Sequence, residues 1–104
     1  MQLRIISKRK IREYGQYNPQ ALLPLVEWYA KIRNTKARNL SELKKIFNSA
    51  DYVNGYTIFD IGGNNYRLIT AIHFNVQICY IREIWTHADY SKPYNQAKLK
   101  KGEL

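Results

Sequence analysis

The chain has 104 residues, which allows one domain with a modest core. Its 17 Lys and Arg against 8 Asp and Glu leave a net charge of +9, a surplus that attracts polyanions such as nucleic acid, or an acidic protein. A hydrophobic content of 45% excludes wholesale disorder, and no apolar run reaches the roughly 18 residues of a membrane span. Cys79 is the single cysteine, so an internal disulfide and a Cys/His zinc site are excluded. Arg4, Lys8, Arg9 and Lys10 are followed by no apolar h-region, so no secretory signal is expected and the expected location is cytoplasmic.

The first predicted element is a strand over Leu3 to Ile6, rich in β-branched residues. Ser7 can cap a helix over Lys8 to Tyr17, weakened near its end by Gly15. Asn18-Pro19 reads as an N-cap followed by proline at the first helical position, opening a helix to about Arg33. Leu22, Leu25, Val26, Tyr29 and Ile32 form its expected apolar stripe, and Pro24 either starts or kinks it. Asn34 to Asn39 has no periodicity and reads as a loop. Ser41-Glu42 can open a short helix through Phe47. Asn54-Gly55 is a turn signal before a strand over Tyr56 to Ile61. Gly62-Gly63-Asn64 ends that strand. It lacks the Gly-Lys-Ser/Thr ending of a P-loop and reads as a hairpin turn. Two further strands follow, Tyr66 to Phe74 and Gln77 to Trp85, joined at Asn75-Val76. Residues 94–104 are polar and basic and are expected to be a loosely held tail. The whole reads as one α+β domain over residues 1–104, its N-terminal helices packed on one face of a small, mostly antiparallel sheet.

Pairing the last two strands with Phe74 opposite Gln77 sorts their side chains by face. Tyr66, Leu68, Thr70 and Ile72 meet Trp85, Glu83, Ile81 and Cys79 on a core face on which only Glu83 is out of place. Arg67, Ile69, Ala71 and His73 meet Ile84, Arg82, Tyr80 and Ile78 on the other. Arg67 and Arg82 are then diagonal neighbours, about 7–8 Å apart at Cα, on an open floor beside Tyr80. Nine Tyr and two Trp interleaved with cations suit single-stranded RNA, whose bases stack on rings while phosphates meet cations. Cleaving RNA without a metal needs a base for the 2′-hydroxyl, an acid for the leaving 5′-oxygen, and cations for the developing charge. His87, Tyr90, Arg67 and Arg82 supply those types. His73 reads as a solvated strand residue or one that stacks on RNA. Trp28 and Tyr29 read as core. Asp60, Glu83 and Asp89 share no metal geometry, so neither metal nor cofactor is expected.

The runs Phe59-Asp60-Ile61-Gly62-Gly63-Asn64-Asn65-Tyr66-Arg67-Leu68-Ile69, Cys79-Tyr80-Ile81-Arg82 and Thr86-His87-Ala88-Asp89-Tyr90 resemble the HigB toxin family, as do Trp28-Tyr29 and Leu43-Lys44 through Ser49-Ala50-Asp51. The resemblance extends over roughly residues 22–92. It implies a RelE-like fold and a type II toxin that cuts mRNA on the ribosome, held silent by a helix-turn-helix antitoxin of the HigA kind. By it, Arg67, Tyr80, Arg82, Thr86, His87 and Tyr90 match the catalytic concave face. The catalytic set expected is His87, Arg67, Arg82 and Tyr90, with Tyr80, Thr86, Asn64, Lys92 and His73 as RNA contacts. This sequence departs from the family's usual Lys at Asn65, its frequent Asn at Asp60 and its frequent Asp at Ser91. The alternatives are a non-catalytic toxin of the same fold that acts by docking on its target, and a plain RNA-binding module.

Overall fold

The structure, a computed structural model, describes residues 3–104. Strand β1 (Arg4–Ile6) leads into helices α1 (Lys8–Tyr17), α2 (Pro19–Arg33) and α3 (Leu40–Ile46). Four strands follow: β2 (Asp51–Val53), β3 (Tyr56–Ile61), β4 (Tyr66–His73) and β5 (Ile78–Thr86). Helices α4 (His87–Ser91) and α5 (Pro93–Lys101) end the chain. The sheet order is β1-β5-β4-β3-β2, antiparallel throughout except that β1 runs parallel to β5. The α+β expectation holds. Among the described residues no helix is long and apolar enough to cross a membrane.

Local sequence explains most boundaries. Asn18 and Pro19 open α2 as expected, and the helix continues through Pro24. Asn39, not Ser41, caps α3, its side chain accepting from the Glu42 amide at 2.9 Å. The two-residue Asn54–Gly55 loop closes the β2–β3 hairpin, which adds a strand, β2, too short to show a pattern. Gly62 and Gly63 turn the chain between β3 and β4 at φ of +62° and +68°, a region open to glycine at no steric cost. In the β4–β5 loop the positive φ falls on Gln77 rather than Val76. The Gln77 amide group is buried and donates to the carbonyls of Ala37 and Phe74, each at 2.9 Å.

The stripe expected on α2 is rotated. Ala21, Leu25, Trp28 and Ile32 are buried, whereas Leu22 and Val26 are exposed. The reason is packing: Trp28 meets Phe59 edge-on at 5.3 Å, and Phe47 meets the same ring at 5.1 Å. Gly15 does more than weaken the end of α1. A Cβ there would stand 2.6 Å from Leu22 Cδ1, so its bareness lets α2 lie close. These helices bury Ile11, Leu25 and Ile32 with Leu68, Cys79 and Ile81 on one face of the sheet. Burial pushes the Cys79 thiol up to about 12, so it stays protonated and unreactive in the fold.

On the other face, Tyr56, Ile58 and Ile69 are buried with Leu99 of α5, and Ala71, Trp85 and Tyr90 pack around them. The expected loose tail is therefore a docked helix. A lone apolar residue, Leu99, anchors it among lysines, and Gly102 ends it in the left-handed conformation. The Tyr56 hydroxyl accepts from the Leu104 amide at 2.9 Å and donates to its carbonyl at 3.0 Å.

Two outcomes follow. Leu99→Ala should lower unfolding free energy by about 2–5 kcal/mol in a urea titration; a change under about 0.5 kcal/mol would mean that α5 is not docked. A maleimide should label Cys79 at the rate of global unfolding only, and rapid labelling of the native protein would contradict its burial.

Candidate active site

The β4–β5 ladder keeps the expected pairs Thr70–Ile81, Ala71–Tyr80, Ile72–Cys79 and His73–Ile78. Beyond Thr70 the register shifts, and Arg82 becomes the extra residue of a β-bulge. Ile69 then faces Glu83, Leu68 faces Ile84, Arg67 faces Trp85, and Tyr66 faces Thr86. The bulge removes the one misfit of the simple pairing. Ile84 takes the core position beside Leu68, and Glu83 turns to solvent. It also corrects the expected closeness of the two arginines. Arg67 faces Trp85, three positions from Arg82, a separation of about 10 Å along the strand.

Arg67 is the centre of one cluster. Its side chain is only 12% exposed and lies directly across the ladder from Asp60, with Nε 3.2 Å from Oδ1. Nη2 donates to Asn64 Oδ1 at 2.6 Å, and Nη1 approaches the Asn64 and Tyr66 carbonyls at 3.3 and 3.2 Å. Nη2 also lies 3.4 Å from His87 Nδ1. A guanidinium has five N–H donors, and here five acceptors surround it. The Tyr90 ring faces its remaining side, 5.3 Å from Cζ. A charge so far withdrawn from water needs such a shell.

His87 opens α4 and is exposed. Its amide donates to the Asn65 carbonyl at 2.9 Å, which ties α4 to the Gly62–Asn65 turn. Arginine can only donate, so His87 Nδ1 is the acceptor and the ring proton of the neutral form sits on Nε2. Thr86 caps α4, its hydroxyl accepting from the Asp89 amide at 3.1 Å. Lys92 pairs with Asp89 at 2.9 Å, and that ammonium, with the Thr86 hydroxyl, holds the Asp89 carboxyl below the usual carboxylate range.

Arg82 belongs to a second cluster. Its Cζ lies 5.2 Å from the centre of the Tyr80 ring, and His73 meets the same ring edge-on at 5.5 Å. His73 stands six positions along β4 from Arg67, about 20 Å away. Of the expected residues, then, Arg67, His87, Tyr90 and Asn64 converge, with Thr86 and Lys92 around α4. Arg82, Tyr80 and His73 form a separate cationic and aromatic patch. Sequence reasoning missed Asp60 as the partner of Arg67. Its place three residues before the Gly-Asn-Asn-Tyr-Arg run, and so opposite Arg67 in a hairpin centred on Gly63-Asn64, is a usable signal. Beside Arg67 and Tyr90 opens a cleft of about 440 Å³, whose far wall carries Lys44, Asn48 and Ser49.

The tautomer is testable. ¹⁵N NMR at a pH where the His87 ring is neutral should find the proton on Nε2; a proton on Nδ1 would contradict the Arg67 contact.

Comparison with known proteins gives a consistent result. The HigB toxin family, described as the RelE-like toxic component of a toxin-antitoxin system, matches residues 21–93. The mRNA interferase toxin HigB of Escherichia coli K12 is 30% identical over 91 residues, 85% of this chain and 88% of that protein. The mRNA interferase HigB of Escherichia coli O6:H1 is 32% identical over 93 residues, 86% of this chain and 90% of that protein.

Proposed function

The chain belongs to the HigB family of RelE-like toxins, and from that membership and the geometry around Arg67 we propose that it is a metal-independent endoribonuclease that cleaves mRNA and so arrests translation. The observation that carries the reading is the contact of Arg67 Nη2 with His87 Nδ1, which fixes an exposed imidazole beside a part-buried cation.

With Nδ1 facing Arg67, the neutral ring points its Nε2–H at RNA. A second proton taken up on Nδ1, which releases the Arg67 contact, makes that Nε2–H the acid for the leaving 5′-oxygen. In the proposed reaction the 2′-hydroxyl loses its proton, its oxygen attacks phosphorus, the bond to the 5′-oxygen breaks, and that oxygen takes a proton. Arg67 stabilises the charge that builds on the phosphoryl oxygens. The phosphate reaches it by displacing its long contacts, such as the one at 3.3 Å to the Asn64 carbonyl. Asp60 and Asn64 orient the guanidinium, and Tyr90 fixes its plane. Arg82, Tyr80 and His73 hold flanking nucleotides by charge and stacking rather than touching the scissile phosphate. Thr86 acts by capping α4, and Lys92 adds nonspecific, salt-dependent attraction to RNA.

Membership of a toxin–antitoxin pair implies a cognate antitoxin. We assign it the helix-turn-helix, HigA-like type, with an acidic segment suited to a surface of net charge +9. The same charge suits ribosomal RNA and supports cleavage of mRNA on the ribosome, in the cytoplasm. The RelE-like arrangement is supported by α1 and α2 covering one face of a mostly antiparallel sheet.

On induction, His87→Ala or Arg67→Ala should relieve growth arrest and reduce new mRNA ends by about 100-fold or more. Antitoxin binding and the melting curve should persist in His87→Ala, whereas Arg67→Ala, which leaves Asp60 without its partner, should also lower the melting temperature. Two fully toxic variants would refute the site. DNA damage without new RNA ends would point instead to a docking toxin.

A further inference from the structure

We propose that α5 is a strut that sets the position of α4, with Asn95 and Gln96 as its positioning residues. The proposal rests on the reading of His87 and Tyr90 as members of the reacting centre. Helix α4 has five residues, too few to be stable alone, and at its end the flanking Lys92 amide donates to the Asp89 carbonyl at 3.2 Å. Its start is secured by Thr86 and by the His87–Asn65 bond. Its end is met from α5. Asn95 Nδ2 donates to the Asp89 carbonyl at 2.8 Å, and Gln96 Nε2 donates to the Tyr90 carbonyl.

The far end of α5 is fixed to the sheet. Leu99 is buried against Tyr56, Ile58 and Ile69, and Asn54 Nδ2 donates to the Lys100 carbonyl at 2.7 Å. Leu104 is bound through both its amide and its carbonyl to the Tyr56 hydroxyl. The helix thus bridges from the β2–β3 hairpin to the carbonyls beneath Tyr90. Removing the Gln96 donor frees the end of α4. Tyr90 then leaves the Arg67 guanidinium, and His87 Nδ1 leaves Nη2. The strut lies almost wholly beyond residues 21–93, the part matched by the family.

Gln96→Glu keeps the side chain's shape and removes its donor, whereas Gln96→Lys keeps a donor. Both are compared with the parent and with His87→Ala by melting curve, by turnover and KM on a defined mRNA in a cell-free translation reaction, and by the ¹⁵N resonances of His87. Gln96→Glu should lower kcat about 10–100-fold with KM little changed, and should move the His87 resonances while the protein stays folded. Gln96→Lys should restore turnover to within about threefold of the parent, since a merely structural defect would not follow the donor. Parental turnover and unmoved His87 resonances in Gln96→Glu, in an assay where His87→Ala is inactive, overturn the strut. An active His87→Ala overturns instead the catalytic reading, and the His87 resonances still report separately whether α4 is held.

Discussion

The withdrawal of one guanidinium from water organises this end of the molecule. Arg67 sits on a strand whose next inward and outward neighbours are buried, so its charge must be satisfied by protein groups or by a bound anion. Asp60 supplies the counter-charge from the adjacent strand, the Gly62–Asn65 turn supplies carbonyl and amide oxygens, and the start of α4 supplies the imidazole. Three separate segments converge because one side chain needs them all. An ion pair this enclosed gives less stability than its Coulomb attraction suggests, since both charges lose water. Its value here is geometric: it fixes where an exposed imidazole stands relative to a positive charge.

The bulge at Arg82 divides the cationic floor. A regular ladder would have made the two arginines diagonal neighbours on one face, close enough for like charges to repel. With one extra residue in β5, Arg82 shifts toward Tyr80 and His73, and Trp85 takes the place across from Arg67. Two sites of different character result. One is enclosed and hydrogen-bonded, suited to chemistry at a single phosphate. The other is open and aromatic, suited to gripping a strand that passes over it.

Much of this was legible in the sequence, and the misses have causes. Asn18-Pro19, Asn54-Gly55 and Gly62-Gly63 set boundaries by local backbone physics, which needs no knowledge of the rest of the chain. The convergence of Arg67 with His87 followed from strand order and from the place of His87 just after the last strand. The bulge was hidden because an extra residue has no local signature; only the misplaced Glu83 betrayed it. The α2 stripe was misread because two stripes compete on that helix, and the winner is decided by Phe59 and Gly15 on other elements. Helix α5 was missed because a single buried leucine among lysines carries no periodicity.

The most direct measurement is the chemistry of the RNA ends left after cleavage. Attack by the neighbouring 2′-hydroxyl, with the imidazole of His87 protonating the leaving 5′-oxygen, leaves a 2′,3′-cyclic phosphate on the upstream fragment and a 5′-hydroxyl on the downstream one. Ligation-selective sequencing of transcripts cut after induction should recover those ends. Upstream 3′-hydroxyls with downstream 5′-phosphates would mean that water attacked the phosphate, and the Arg67–His87 pair would not be the cutting centre.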